Sequence, residues 1–236
     1  MFRGIPLKPP FFEIGPKSYL YGPQILKLAQ AADMASAKYG IPIIFTAPFP
    51  DIRMVANETE NLLVFAPHMD SLPLGRGLAD ILPESIKAAG AIGVMLNHSE
   101  KPLTYSKLSH TIRRAKALDL MTIVCADSIT EAKAIALLSP TVIVAEPAEL
   151  IGTGNTSDPD YIQASIMAVK SISPDIHVLQ GAGISNGRDV FAIIMAGADA
   201  TGSSSGIIKA ADSAAMVDEM IHAVREAWDL RNKQVL

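Results

Sequence analysis

Residues 92–126, IGVMLNHSEKPLTYSKLSHTIRRAKALDLMTIVCA, carry the pattern that decides the fold. The stretch opens with a short apolar run, 92–96, and closes with another, 121–126. Between them, residues 106–118 place Leu108, Ile112, Ala115 and Leu118 at helical spacing, the mark of an amphipathic helix with one side turned to a core. Strand, helix and strand in this order form the unit of a parallel sheet, because parallel neighbours need a crossover between them.

The same alternation runs outward in both directions. Candidate strands fall at 11–15, 42–46, 62–66, 92–96, 121–126, 141–145, 176–180 and 198–202, eight in all. Their aliphatic and β-branched content suits strands covered on both faces. Residues 23–39 carry Ile25, Leu26, Leu28, Ala29, Ala32 and Met34 on one side of a helix, and 213–230 close the chain as another. Gly40, Gly90 and Gly197 each follow a helical segment, where a left-handed stop is needed. No stretch reads as a linker. The expected architecture is one (β/α)8 barrel spanning 1–236, with 1–10 as an N-terminal extension. An open doubly wound sheet is the rival, and the turn after the first strand lacks the G-x-G-x-x-G that a dinucleotide site of that fold would carry.

Composition narrows the function classes. The chain has 236 residues, 20 Lys plus Arg against 24 Asp plus Glu, and a net charge of −4. At 49% hydrophobic and 19% charged it is too apolar for a disordered chain. The acidic balance argues against a nucleic-acid partner. No apolar run approaches the ~18 residues of a membrane span, and the N-terminus has no signal-peptide core. A cytoplasmic protein with no membrane partner is expected. The single cysteine, Cys125, excludes an internal disulfide and a cysteine zinc site. It sits in an apolar strand and reads as a small buried hydrophobe. No metal and no cofactor are expected.

In a barrel, chemistry sits where strands end and βα loops begin. Strand 1 runs into Gly15-Pro16-Lys17, strand 4 into Asn97-His98-Ser99-Glu100-Lys101, and strand 6 into Glu146-Pro147. Strands 7 and 8 run into Gly181-Ala182-Gly183-Ile184-Ser185 and Gly202-Ser203-Ser204-Ser205-Gly206. Taken singly, the last two are tight turns with caps. As a pair on adjacent barrel strands they read as an anion site. His98 stands at a strand end before an expected short helix, whose N-terminus would keep the ring neutral and able to donate. His110, His177 and His222 read as structural, and His68, after strand 3, stays open. Glu146 emerges from four apolar residues into a loop holding Gly152 and Gly154, a route to a raised pKa and general-base work. The bland alternative is a rim carboxylate paired with a lysine.

Three segments carry a family resemblance: Leu96-Asn97-His98-Ser99-Glu100-Lys101, Ala145-Glu146-Pro147 through Gly152-Thr153-Gly154, and Gly181-Ala182-Gly183-Ile184-Ser185. Together they resemble the triosephosphate isomerase family, in its short archaeal-type form, in the family's order and over essentially the whole chain from Phe11. The resemblance implies an aldose–ketose isomerase of phosphosugars, working without a cofactor. It implies Glu146 as the base, His98 as the neutral electrophile and Lys17 as the substrate-holding cation. Gly15, Ile151, Gly183, Ser204 and Ser205 match substrate or phosphate positions. Ser99 and Glu100 match supporting positions, and Pro147, Gly152, Thr153 and Gly154 match the lid and its hinges. It also implies a homo-oligomer, dimeric or tetrameric.

Two places depart from the family. Its first strand ends in Asn-x-Lys, whereas this chain reads Gly15-Pro16-Lys17, leaving an expected void where an amide would be. After strand 3, Leu78 stands where the family has a Thr that reaches a neighbouring subunit. Three readings follow: an isomerase of the triose phosphates, an isomerase of a related phosphosugar such as a four-carbon ketose phosphate, or a non-catalytic barrel that binds a phosphorylated ligand.

Overall fold

A computed structural model describes residues 6–151 and 153–234. Eight parallel strands close on themselves in chain order: β1 (Phe11–Ile14), β2 (Ile43–Thr46), β3 (Leu62–Ala66), β4 (Gly93–Leu96), β5 (Met121–Ala126), β6 (Val142–Ala145), β7 (His177–Gln180) and β8 (Ala200–Ser203). Closure is made by β1 against β8, with Phe11 opposite Ala200 and Ile14 opposite Ser203. This settles the choice between barrel and open sheet. The helices are α1 (Pro23–Tyr39), α2 (Ile52–Glu58), α3 (Pro83–Ala88), α4 (Tyr105–Lys116), α5 (Ile129–Ala136), α6 (Pro159–Lys170), α7 (Gly187–Met195), α8 (Ser205–Ile208) and α9 (Ser213–Gln234).

Strand parity splits the apolar residues into two cores. Phe12, Ile14, Ile43, Phe45, Val64, Val124 and Val178 face outward and bury against the helices. Phe11, Ile44, Leu63, Phe65, Ile123, Cys125, Val144 and Leu179 fill the barrel interior. Gly93 completes that packing, since a Cβ there would lie 2.2 Å from the Phe65 ring. The same parity sends Glu13 inward, two residues after Phe11. Strand 8 starts two residues later than expected because Ala198 still bonds back to Ile193, closing the turn after α7. Gly40 ends α1 in the left-handed region, at φ 65°, with its N–H donating to the Ser36 carbonyl.

Part of the expected N-terminal extension belongs to the barrel, while residues 1–5 lie outside the described residues. Leu7 is buried in the interior core, and its carbonyl lies 3.1 Å from His177 Nε2 at the start of β7. Residues just before β1 therefore seal the end of the barrel opposite the βα loops. Among the described residues no helix is long and apolar enough to cross a membrane.

Candidate active site

A cavity of about 650 Å³ opens at the carboxyl ends of the strands. Gly15, Lys17, His98, Glu100, Glu146, Ile151, Gly183, Ser204 and Ser205 all line it, so most of the expected residues share one space. Ser99 does not. It is exposed on the turn after β4, away from the cavity wall. Gly152 lies outside the described residues.

His98 is held by its own loop. Asn97 adopts φ 57°, and its side chain ties β4 to β5 by donating to the Cys125 carbonyl at 3.0 Å and accepting from Leu103 N at 2.9 Å. The Glu100 N–H donates to His98 Nδ1 at 3.1 Å. In a neutral ring this puts the proton on Nε2. Nε2 lies 4.0 Å from Glu146 Oε2. The expected short helix after His98 is absent. Residues 98–101 form a turn closed by Lys101 N–H on the His98 carbonyl, and α4 begins only at Tyr105. The ring's pKa is instead pushed down by burial and by the nearby Lys17 ammonium, with Glu100 opposing.

Glu146 follows the last residue of β6. Its Oε1 accepts from Ala182 N at 3.0 Å, in a segment where Ala182 and Gly183 have φ of 67° and 71°. Burial raises the carboxyl's pKa, while Lys17 and the Ala182 N–H partly offset that rise. The bland reading, an exposed rim carboxylate with its own lysine, does not hold, because Lys17 Nζ pairs at 3.0 Å with Glu100 Oε1. That contact lowers the Glu100 pKa, so its carboxylate stays ionised beside the cavity. Lys17 occupies the left-handed region at φ 50°, an arrangement that costs an L-residue roughly 1–2 kcal/mol.

The void expected beside Gly15 is filled. A Cβ on Gly15 would meet Glu13 Oε1 at 3.0 Å and Glu13 Oε2 at 3.6 Å. Glu13 is a cavity residue that the sequence reading missed. Its signal was present: an acid within the apolar run Phe11-Phe12-Glu13-Ile14, in phase with the inward Phe11. Thr46 Oγ1, on the adjacent strand, donates to Glu13 Oε1 at 2.6 Å. Burial carries the Glu13 pKa to about 7; the Thr46 hydrogen bond and Lys17 act against this, and Glu146 adds to it. Cys125 also borders the cavity, but it packs in the interior core, and burial raises its pKa well above the usual thiol value, which keeps it in the thiol form.

The Gly- and Ser-rich loops form one wall. The Ser204 hydroxyl donates to the Gly15 carbonyl, linking the loop after β8 to the end of β1. Ser203 Oγ donates to the Ile184 carbonyl at 2.9 Å, linking it to the loop after β7. The segment after Pro147 makes a single 3-10 turn, Ala148–Leu150. Thr153 Oγ1 then donates to the Leu150 carbonyl at 2.8 Å, and Gly154 takes φ 78°. This segment lies down on the β7 loop. The Asn155 carbonyl oxygen would be 1.9 Å from a Cβ on Gly183, so a side chain there is excluded while the segment keeps this position.

A sequence model of triosephosphate isomerase matches residues 17–220. The chain belongs to the triosephosphate isomerase family. Triosephosphate isomerase of Sulfolobus acidocaldarius is 35% identical over 232 residues, covering 96% of this chain and all of that one. Triosephosphate isomerase of Methanosarcina mazei is 37% identical over 220 residues, 91% of this chain and 99% of the relative. That of Methanocaldococcus jannaschii is 40% identical over 199 residues, 83% and 90% respectively. These relatives are archaeal, in agreement with the archaeal-type resemblance. The match to the family model starts at Lys17, just past Glu13 and Gly15. The family is one of isomerases, and in this chain Lys17, His98 and Glu146 line one cavity.

Proposed function

We propose that the protein interconverts dihydroxyacetone phosphate and glyceraldehyde 3-phosphate by carbon-to-carbon proton transfer. The observation that carries this reading is the convergence on one cavity of a buried carboxylate, a neutral imidazole with its proton on Nε2, and an ammonium.

Each group answers a need of the reaction. A proton on carbon beside a carbonyl is weakly acidic, so it needs a carboxylate with a raised pKa, and Glu146 supplies one. Removing that proton forms a carbon–carbon double bond and moves the electron pair to the carbonyl oxygen. His98 Nε2–H and the Lys17 ammonium stabilise that oxygen's charge without a metal. Glu146, now protonated, returns the proton to the neighbouring carbon. The hydroxyl proton passes between the two oxygens, and the second oxygen becomes the new carbonyl. A neutral His98 suits this task, because a ring already charged would hold less of its donor strength in reserve for the transition state.

Gly183, Ser204, Ser205 and Ile151 line the part of the cavity we assign to the phosphate, where backbone N–H groups and small side chains admit an anion closely. Pro147, Gly152, Thr153 and Gly154 are assigned to a lid that shuts water out of the site during turnover. We also assign the protein to a homo-oligomer, because Leu74 and Leu78 stand exposed on one loop after β3. We place it in the cytoplasm, working in the interconversion of triose phosphates in glycolysis and gluconeogenesis.

A coupled assay with glyceraldehyde 3-phosphate tests the reading, using Glu146→Gln as control. Wild-type turnover that the variant loses supports it. A wild-type protein inert toward both triose phosphates, at concentrations that saturate relatives of this family, overturns it.

A further inference from the structure

We propose that Glu13 is a substrate-recognition residue that binds the sugar as an uncharged acid, its Oε2 donating a proton to the sugar oxygen lying over Gly15. The inference rests on the isomerase reading above and adds a donor to the same site.

The argument starts from what surrounds Gly15. The three heavy atoms nearest its Cβ position are the two Glu13 oxygens and Ser204 Oγ. The Ser204 hydroxyl is committed to the Gly15 carbonyl. Glu13 Oε1 already accepts from Thr46. Among the described residues, Oε2 has no protein hydrogen-bond partner, and Glu13 lines the cavity, so Oε2 is the polar atom left to meet a ligand at this corner. Gly202 on β8 is bare as well, since a Cβ there would sit 3.0 Å from Glu13 Cβ and 3.2 Å from Oε2. Two glycines, one on each side, make room for a carboxyl inside the barrel.

Its protonation follows from the groups that face it. From β2 comes only the Thr46 hydroxyl, and from β8 no titratable group. Around the rest of the cavity stand Tyr19 after β1, His98, Glu100 and Lys101 after β4, Cys125 on β5 and Glu146 after β6. Lys17, the cation closest in sequence, is shared with Glu100. The anionic ligand adds phosphate charge, and the reaction then adds charge on the sugar oxygens. Carboxylates that share one site cannot all stay ionised. Glu146 must be ionised to act as base, so Glu13 is the carboxyl that takes up the proton. A carboxylate at this corner would repel the developing oxyanion, whereas a carboxylic acid donates to it. The free-protein pKa near 7 leaves Glu13 poised for this change.

The test measures proton uptake and rate together. Dihydroxyacetone phosphate is titrated into the full-length protein at pH 8 in two buffers of different ionisation enthalpy. Wild type is expected to take up most of one proton per site, and Glu13→Gln none. In parallel, kcat/KM is followed from pH 5.5 to 9. The wild-type value is expected to fall about tenfold per pH unit above about 7, and Glu13→Gln, which keeps a neutral donor, to lose that decline. Glu13→Leu, with no donor, is expected to lose tenfold or more at every pH. Equal proton uptake by wild type and Glu13→Gln, or an alkaline decline that survives in Glu13→Gln, overturns the inference. Full activity in Glu13→Leu does so too, by leaving Glu13 a merely structural residue. A wild type that binds with Glu13-dependent uptake but does not turn over would overturn the isomerase reading and leave the proton-holding role standing.

Discussion

Replacing Glu13 by Gln should stabilise the protein at pH 8 relative to pH 4.5, in the absence of any ligand. Moving a carboxyl from 4.5 in the unfolded chain to about 7 in the folded one corresponds to about 3 kcal/mol between its protonation states. The sign follows from proton counts. Between those two pH values the unfolded chain has released the Glu13 proton while the folded chain still holds it. Raising the pH therefore favours unfolding across that window, and above about 7 the full cost is present. Glu13 is only partly buried where it faces the open cavity, so solvent screening reduces this to about 2 kcal/mol. Gln keeps the shape and can still accept from Thr46, but it has no charge to bury. For a chain of this size, 2 kcal/mol corresponds to roughly 4–8 °C in Tm. The assay compares the Tm of variant and wild type at pH 4.5, 6 and 8. The difference should be small at pH 4.5 and grow in favour of the variant to its full value by pH 8. A difference that stays constant across this range would refute the reasoning, because it would place Glu13 in an environment no different from water.

Gly15→Asn alone should lower kcat/KM, because its Cβ presses on Glu13 Oε1 at 3.0 Å. Combined with Glu13→Ala it should recover, and a double-mutant cycle should give a coupling above about 0.5 kcal/mol, whereas additive effects would deny the contact. Glu146→Gln should cut kcat by roughly 10²–10⁴-fold with Tm unchanged or raised, read by the coupled assay and a thermal melt. Gly183→Ala meets the Asn155 carbonyl and a φ of 71°, so it should raise KM for the triose phosphates by displacing the segment after Thr153. Unchanged KM in a folded variant would separate that segment from substrate binding. Asp158→Ala removes the side chain that accepts from Tyr161 N at 2.8 Å at the start of α6, and should cost about 1 kcal/mol in urea unfolding.

Much of this molecule could be read from residue order alone. Eight apolar runs separated by helical spacing specify strands and helices because both periodicities are local, set by 2 and 3.6 residues per repeat. The polar residues that break those runs, Lys17, His98 and Glu146, fall at strand ends for the same reason, and that placed them at one end of a barrel. Closure of β1 on β8 is not local. It depends on strand stagger summed around the ring, so the open sheet stayed a rival until the register was seen. The electrostatics of His98 were likewise settled by neighbours distant in sequence. Burial and, after it, Lys17 favour the neutral ring, where sequence alone pointed to a helix dipole. Glu13 marks the boundary most sharply. Its inward phase was legible from Phe11, yet its meaning required knowing that Gly15, Gly202 and Thr46 surround it. A buried acid takes its pKa and its partners from strands that meet only when the barrel is closed.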